Sequence, residues 1–307
     1  MRGSRLFMTI SCAVAAAVAL APSAGATPAR PARPAAPAAL PRTGSSAVAT
    51  AGFLASLPGV VADPAAPPAG VNVGCRPSAT HPYPVVLVNG TFEVMQDSFD
   101  YLGPRLARAG YCVFGYNYGA TVYPPQVQAT APVDDSVQAL AAEVRTVTRA
   151  TGSSKVDLIG FSQGGLLTEL YTKFGGAASV HSVTALAPTT HGTTLLGLGT
   201  LAAHIPGARD VFTAVGCPAC NDQIVGSAVI AKLNKGPIAQ PGVRYTVIDT
   251  RYEEVVTPAG SSFIHERGVT NEYVQSFDPT DVDEHVVLPF NPVTGDRVLA
   301  ALHRAGS

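Results

Sequence analysis

Lys155-Val156-Asp157-Leu158-Ile159-Gly160-Phe161-Ser162-Gln163-Gly164-Gly165 is the stretch whose reading decides the fold. Val156, Leu158 and Ile159 make a short apolar run that reads as a strand covered on both faces. The run stops at Gly160-Phe161-Ser162-Gln163-Gly164, a G-x-S-x-G motif, and Leu166, Leu167, Leu170 and Tyr171 follow at helical spacing. Between a strand and a helix, such a motif is a nucleophile elbow: the serine occupies a strained turn that flanking glycines, lacking Cβ, allow to close. A helix starting at this point would aim free N–H groups and its positive dipole end at charge developing beside Ser162. Glycine and serine are common in turns, so the motif alone is a modest signal. The strand before it and the helix after it make Ser162 the candidate nucleophile rather than an idle turn residue.

Working outward, Pro84-Val85-Val86-Leu87-Val88 is an unbroken, β-branched run and predicts a central strand, ending at Asn89-Gly90-Thr91-Phe92. Residues 97–109 read as a helix stopped at Gly110, and 111–117 as the next strand. The segment 118–132 is aromatic and proline-rich, with Pro124-Pro125 ruling out a helix there. An amphipathic helix is predicted over 134–150, capped at Asp134 or Asp135, with Val137, Leu140, Val144 and Val147 on one face, closing at Gly152. Further strands are expected at 180–187 and 243–249, and a last helix at 291–304. Strands alternating with helices predict an α/β fold, a mostly parallel central sheet with helices on both faces. Reactive groups in such sheets gather beyond the carboxyl ends of the strands. Ser162, Asn89-Gly90-Thr91 and Asp249-Thr250-Arg251-Tyr252-Glu253 all fall there.

The chain has 307 residues, enough for one large α/β domain, and its 20 basic and 21 acidic residues give a net charge of −1. That balance speaks against a nucleic-acid partner or an anionic membrane surface. Arg2 and Arg5, the apolar residues 6–21 and Ala24-Gly25-Ala26 form the three regions of a signal peptide, so cleavage after Ala26 and secretion are expected. No transmembrane span is expected after it. Residues 27–70 are rich in alanine and proline and read as a disordered, stiff linker, with Phe53-Leu54-Ala55-Ser56-Leu57 the one patch suggesting a short helix. The catalytic domain is expected over 71–307. Of the five cysteines, Cys12 lies in the signal, leaving Cys75, Cys112, Cys217 and Cys220. Four cysteines allow three pairings. The C-x-x-C at 217–220 lacks a second C-x-x-C or a histidine pair at zinc spacing, which favours Cys75–Cys112 and Cys217–Cys220 as structural disulfides and no metal.

Several stretches together resemble the secreted bacterial triacylglycerol lipases of the class 2 lipase family, within the α/β-hydrolase superfamily. They are 84–92, Gly110-Tyr111-Cys112-Val113-Phe114, 155–165, Ala187-Pro188-Thr189-Thr190-His191-Gly192-Thr193-Thr194 and Tyr252-Glu253-Glu254-Val255-Val256-Thr257-Pro258. The similarity runs from about residue 72 to 304. It implies an α/β-hydrolase fold, ester hydrolysis and no cofactor. The family usually has His-Gly where this chain has Asn89-Gly90, a histidine where Phe161 stands, and aspartate where Glu253 stands. None of these differences removes a catalytic group.

A serine hydroxyl needs a base, and the base a carboxylate that orients it. In this fold the chain order is serine, acid, histidine. His285, in Asp283-Glu284-His285-Val286 just before the last helix, sits where the fold places its base and matches the family's late histidine. His265 is the next candidate, otherwise a surface-loop residue. His191 precedes any acid and resembles a structural loop, His303 reads as a solvated cation at a helix end, His181 opens a strand, and nothing singles out His204. Glu253 matches the family's acid at the head of E-E-V-V-T-P, with Asp249 at the strand end the alternative and Glu254 after it. The oxyanion hole should use the backbone N–H groups of Thr91 and Gln163, with the Thr91 hydroxyl a possible third donor. Phe92, Tyr118, Tyr123 and the apolar segment 197–206 are candidates for pocket wall or lid, although ordinary core explains the last equally well. A lipase acting as a monomer on lipid or another ester, at times at a lipid–water interface, is the first reading. A short-chain carboxylesterase, a cutinase-like polyesterase or an acyltransferase shares the same chemistry, and a catalytically silent binding domain would need a broken triad.

Overall fold

The computed structural model describes residues 44–194 and 213–306. The expected signal segment and the segment 197–206, with His204, lie outside them. Six strands form one sheet: β1 (Val85–Val88), β2 (Val113–Gly115), β3 (Val156–Phe161), β4 (Val180–Leu186), β5 (Arg244–Asp249) and β6 (Val269–Tyr273), in the order β2-β1-β3-β4-β5-β6. Every neighbouring pair is parallel. Parallel neighbours need crossovers, and the helices that supply them cover both faces.

This coverage explains why the central strands are apolar throughout. Val86, Val88 and Leu158 point to one face, where they pack with Leu140, Val144 and Val147 of α4 (Val133–Thr151) and Leu166, Leu167 and Leu170 of α5 (Gln163–Tyr171). Val85, Leu87, Ile159 and Phe161 point to the other. There they meet Phe99 of α2 (Met95–Phe99), Leu102 and Leu106 of α3 (Leu102–Arg108), and Val298 and Leu302 of α8 (Pro292–Gly306). The single helix expected over 97–109 is thus two short ones. α4 ends, as expected, at Gly152 in the left-handed region, φ 72°. Its start differs: Asp134 and Asp135 lie in the first turn, and the cap comes from afar, Asp222 Oδ2 accepting the Val133 N–H at 2.9 Å. Two short helices, α6 (Pro218–Asp222) and α7 (Ala228–Leu233), and the edge strand β6 were not foreseen. β6 reads V-T-N-E-Y, half-buried at every position, so it carries neither an apolar run nor an alternation.

The alanine- and proline-rich stretch also departs from expectation. Residues 45–62, read as part of a disordered linker, form α1 (Ser45–Ala62). Ala49 of α1 is buried with Val287 and Phe290, and Phe53 meets the Phe290 ring edge-on at 5.7 Å. By length and composition alone α1 is apolar enough to cross a membrane, where no such stretch was anticipated after the signal. Both expected disulfides are present, Cys75–Cys112 and Cys217–Cys220. The first closes a separation of 37 residues, for which loop-closure entropy suggests about 3–4 kcal/mol of stabilisation.

Candidate active site

The elbow forms where β3 meets α5. Ser162 is the residue before α5, with φ 54° and ψ −120°, a conformation L-residues rarely adopt. It is held by its N–H donating to Leu186 O at 2.8 Å and is largely buried. The two motif glycines are required by close approach: a Cβ on Gly164 would overlap the Val88 carbonyl oxygen, and one on Gly160 would overlap the Gly164 backbone. The strand, the turn and the helix are therefore locked to one another by backbone contact.

His285 and Glu253 come from loops after different strands and meet beside this turn. Glu253 Oε2 lies 2.7 Å from His285 Nδ1, with both residues buried. Glu253 Oε1 accepts the N–H groups of Val255 at 2.8 Å and Val256 at 2.7 Å, so the loop fixes the carboxylate before it reaches the imidazole. Phe161, the neighbour of Ser162, stacks on the His285 ring with centroids 4.9 Å apart, which brings the imidazole alongside the elbow. Burial works to lower the His285 pKa, but the charge and hydrogen bond of Glu253, with the charges of Glu93 and Asp249, outweigh it and raise it above the usual histidine value.

Asp249, the alternative acid, is fully buried and spends its oxygens elsewhere: Oδ1 accepts the Thr250 N–H at 2.7 Å and Oδ2 the Gly260 N–H at 3.1 Å. Burial, reinforced by the charge of Glu253, pushes its pKa up to about 7. The other histidines stand apart. His265, His191 and His303 are exposed, His191 with Nε2 3.0 Å from Phe263 O. His181 Nδ1 lies 2.8 Å from Asp157 Oδ1, at the start of β3, the end opposite Ser162.

Thr91 and Gln163 face each other across the elbow, the Thr91 hydroxyl donating to Gln163 Oε1 at 2.7 Å. The hydroxyl proton is therefore turned toward Gln163, and it would have to rotate to act as a third oxyanion donor. A residue the sequence reading did not single out completes this group. Gln223 Nε2 donates to Gln163 Oε1 at 2.8 Å and to Thr91 Oγ1 at 2.9 Å, while its Oε1 accepts from Thr189 Oγ1 at 3.0 Å. Nothing in the sequence around Gln223 signals this, because only folding brings α6 over the elbow. Tyr118 is buried and donates to Asn89 O at 2.6 Å; Phe92 and Tyr123 meet edge-on at 6.1 Å. Among the described residues, no group of three or more His, Cys, Asp or Glu side chains is arranged to hold a metal ion.

Comparison with known proteins is consistent with this geometry. The chain matches the model of the family described as Lipase (class 2) over residues 82–289, more than half its length. No curated protein sequence is significantly similar to it. Among solved structures it is similar to lipase B of Aspergillus fumigatus, with a TM-score of 0.57, 21% identity, and coverage of 75% of this chain and 53% of that one. It is also similar to a structure of the metagenome-derived lipolytic enzymes LipS and LipT, with a TM-score of 0.53, 16% identity, and coverage of 78% and 100%. The chain thus spans about half the length of the fungal lipase, and at these identities the likeness is one of fold. The protein belongs to the class 2 lipase family and is built on the α/β-hydrolase fold.

Proposed function

We propose that this protein is a secreted serine lipase, cleaving triacylglycerol or related carboxylic esters through Ser162, His285 and Glu253. The observation that carries this reading is the buried hydrogen bond of 2.7 Å between Glu253 Oε2 and His285 Nδ1, next to a serine in an elbow conformation. Glu253 fixes the tautomer with the proton on Nδ1, leaving Nε2 as the base. Ser162 Oγ attacks the ester carbonyl as His285 Nε2 takes its proton. The oxyanion is met by the backbone N–H groups of Thr91 and Gln163 and by the N-terminal dipole of α5. His285 then returns the proton to the leaving alcohol, an acyl-enzyme remains, and water activated by the same imidazole releases the acid.

The catalytic domain is assigned to 71–307, with residues 1–26 removed on export and the two disulfides suited to an oxidising compartment. Hydrolysis of p-nitrophenyl esters from acetate to palmitate tests the proposal. Wild-type protein is expected to be active, and Ser162→Ala to lose on the order of 10⁴–10⁶-fold in kcat. Preference for long chains, with activation at an emulsion, supports a lipase, whereas short-chain preference moves the assignment to an esterase. Retained activity in Ser162→Ala would remove the serine mechanism.

A further inference from the structure

The mechanism above makes no use of Glu93, a half-buried acid two residues past Thr91 on the loop that leaves β1. Its Oε2 accepts the hydroxyl proton of Ser98 on α2, and Ser98 Oγ accepts the Gly90 N–H at 3.4 Å. Its backbone is tied to the same loop: Asn89 Nδ2 donates to Glu93 O at 2.6 Å, and Glu93 N–H to Gly90 O at 3.3 Å. Side chain and main chain thus fasten Asn89 and Gly90, the residues that set the direction of the Thr91 N–H. A Cβ built on Gly90 would lie 2.9 Å from Glu93 Oε2 and 3.2 Å from Phe161 Cδ1. The Glu93 carboxyl group and the Phe161 ring thus both border Gly90, and Phe161 neighbours the His285 ring with centroids 4.9 Å apart.

We propose that Glu93 is a positioning residue of the active site: through Ser98 and Gly90 it holds the oxyanion loop, and its carboxylate supplies a second negative charge to the imidazolium formed on His285. This rests on the triad assigned above. Burial pushes Glu93 up to about 7, opposed by Ser98 and by the charge of His285. Burial and the charge of Glu93 together push Asp97, on α2, up to about 8, although Asp97 Oδ1 accepts the Val94 N–H at 2.8 Å. The groups facing Glu93 are thus Asp97 and Ser98 from α2, Tyr118 from the loop after β2, and His285 from the loop before α8. Glu253, from the loop after β5, and Asp249, the last residue of β5, bear on His285, Glu253 by charge and hydrogen bond and Asp249 by charge. At the alkaline pH where His285 is free to act as base, Glu93 is ionised and contributes its charge. At lower pH it takes up a proton and that contribution is lost.

The decisive experiment is the pH profile of kcat/KM for p-nitrophenyl butyrate in wild type, Glu93→Gln, Glu93→Asp and Ser162→Ala, with thermal unfolding of each. Glu93→Gln keeps the hydrogen bond but loses the charge. It is expected to lower kcat at pH 8 by about 3- to 10-fold with KM little changed, and to move the acid limb to lower pH by a few tenths of a unit or more. Glu93→Asp should restore the wild-type limb at least in part. An unchanged profile in Glu93→Gln, or a lost kcat with the limb unmoved, would overturn the proposal, the second outcome leaving only a structural role. If Glu93→Gln fails to fold, Ser98→Ala, which unties the carboxylate without removing it, should still lower kcat, and wild-type kcat in that variant would equally overturn it. Activity in Ser162→Ala would instead strike the underlying triad. An inert Ser162→Ala beside a wild-type Glu93→Gln would strike this inference alone.

Discussion

His285 is faced by three carboxyl groups, and their different surroundings separate their roles. Glu253 has one oxygen on the imidazole and the other held by two backbone N–H groups. Asp249 has its oxygens on the Thr250 and Gly260 N–H groups instead, so it holds its own turn rather than the imidazole. Glu253→Gln should therefore reduce kcat by about 10³–10⁴-fold, while Asp249→Asn stays within about tenfold of wild type, measured on p-nitrophenyl butyrate. The reverse ranking would transfer the acid role to Asp249. Because the His285 pKa is raised and only the neutral ring acts as base, activity should fall on acidification through a value above the ordinary histidine 6.5. The elbow turn at Ser162 was legible from its motif, since a tight strand-to-helix turn has a local signature. Which of Glu253 and Asp249 bonds to His285 was left open there, with Glu253 preferred, because sequence marks the end of β5 but not which way the following loop turns its side chains. Gln223, 60 positions from the Gln163 it bonds, carries no local signature at all.

At the scale of elements, the strands and helices with strong periodicity were readable, and those whose stability comes from distant partners were not. α1 is the main case. Its N-terminal Ser45 Oγ lies 2.7 Å from Asp278 Oδ2 and 2.6 Å from Asp281 Oδ2, within reach of either for its one proton, and Ser46 Oγ accepts the Val282 N–H at 3.1 Å. Its middle packs on Phe290. These contacts straddle the loop that carries His285, so α1 braces that loop from outside the sheet. Alanine- and proline-rich composition hid it, because propensity says nothing about partners more than 200 residues away. Ser46 is fully buried, and Ser46→Ala leaves the Val282 N–H without its acceptor. A loss of about 1–3 kcal/mol in stability is expected by chemical denaturation, with a fall in kcat as the loop loosens. Unchanged stability would mean that α1 only rests on the domain.

Across the whole molecule, acids whose pKa is raised by loss of solvent should make stability depend on pH. Burial pushes Glu93 and Asp249 up to about 7, and Asp97 and Glu169 up to about 8. The unfolded chain releases the same protons at ordinary carboxylate values, 4.5 for glutamate and 3.8 for aspartate. Between these limits the folded state binds more protons than the unfolded state, so stability falls as pH rises. Tm should decline from about pH 5 to about pH 8, and Glu169→Gln should flatten the slope; a Tm that rises through this window contradicts the account. On the proposed mechanism activity should run the other way, since His285 must be neutral to act as base. The architecture as a whole was legible: parallel order follows from alternating elements, and the two disulfides from the cysteine count. Which acids are buried was not, because burial is a property of the assembled layers.

The central claim is that Ser162 is the nucleophile activated by His285. Labelling with a fluorophosphonate that mimics the tetrahedral state, followed by peptide mass spectrometry, tests it directly. One adduct per chain is expected, on the peptide containing Ser162, forming more slowly as pH drops below the His285 pKa and absent in Ser162→Ala. An adduct on any other residue, or full hydrolytic activity after Ser162 is modified, would contradict it.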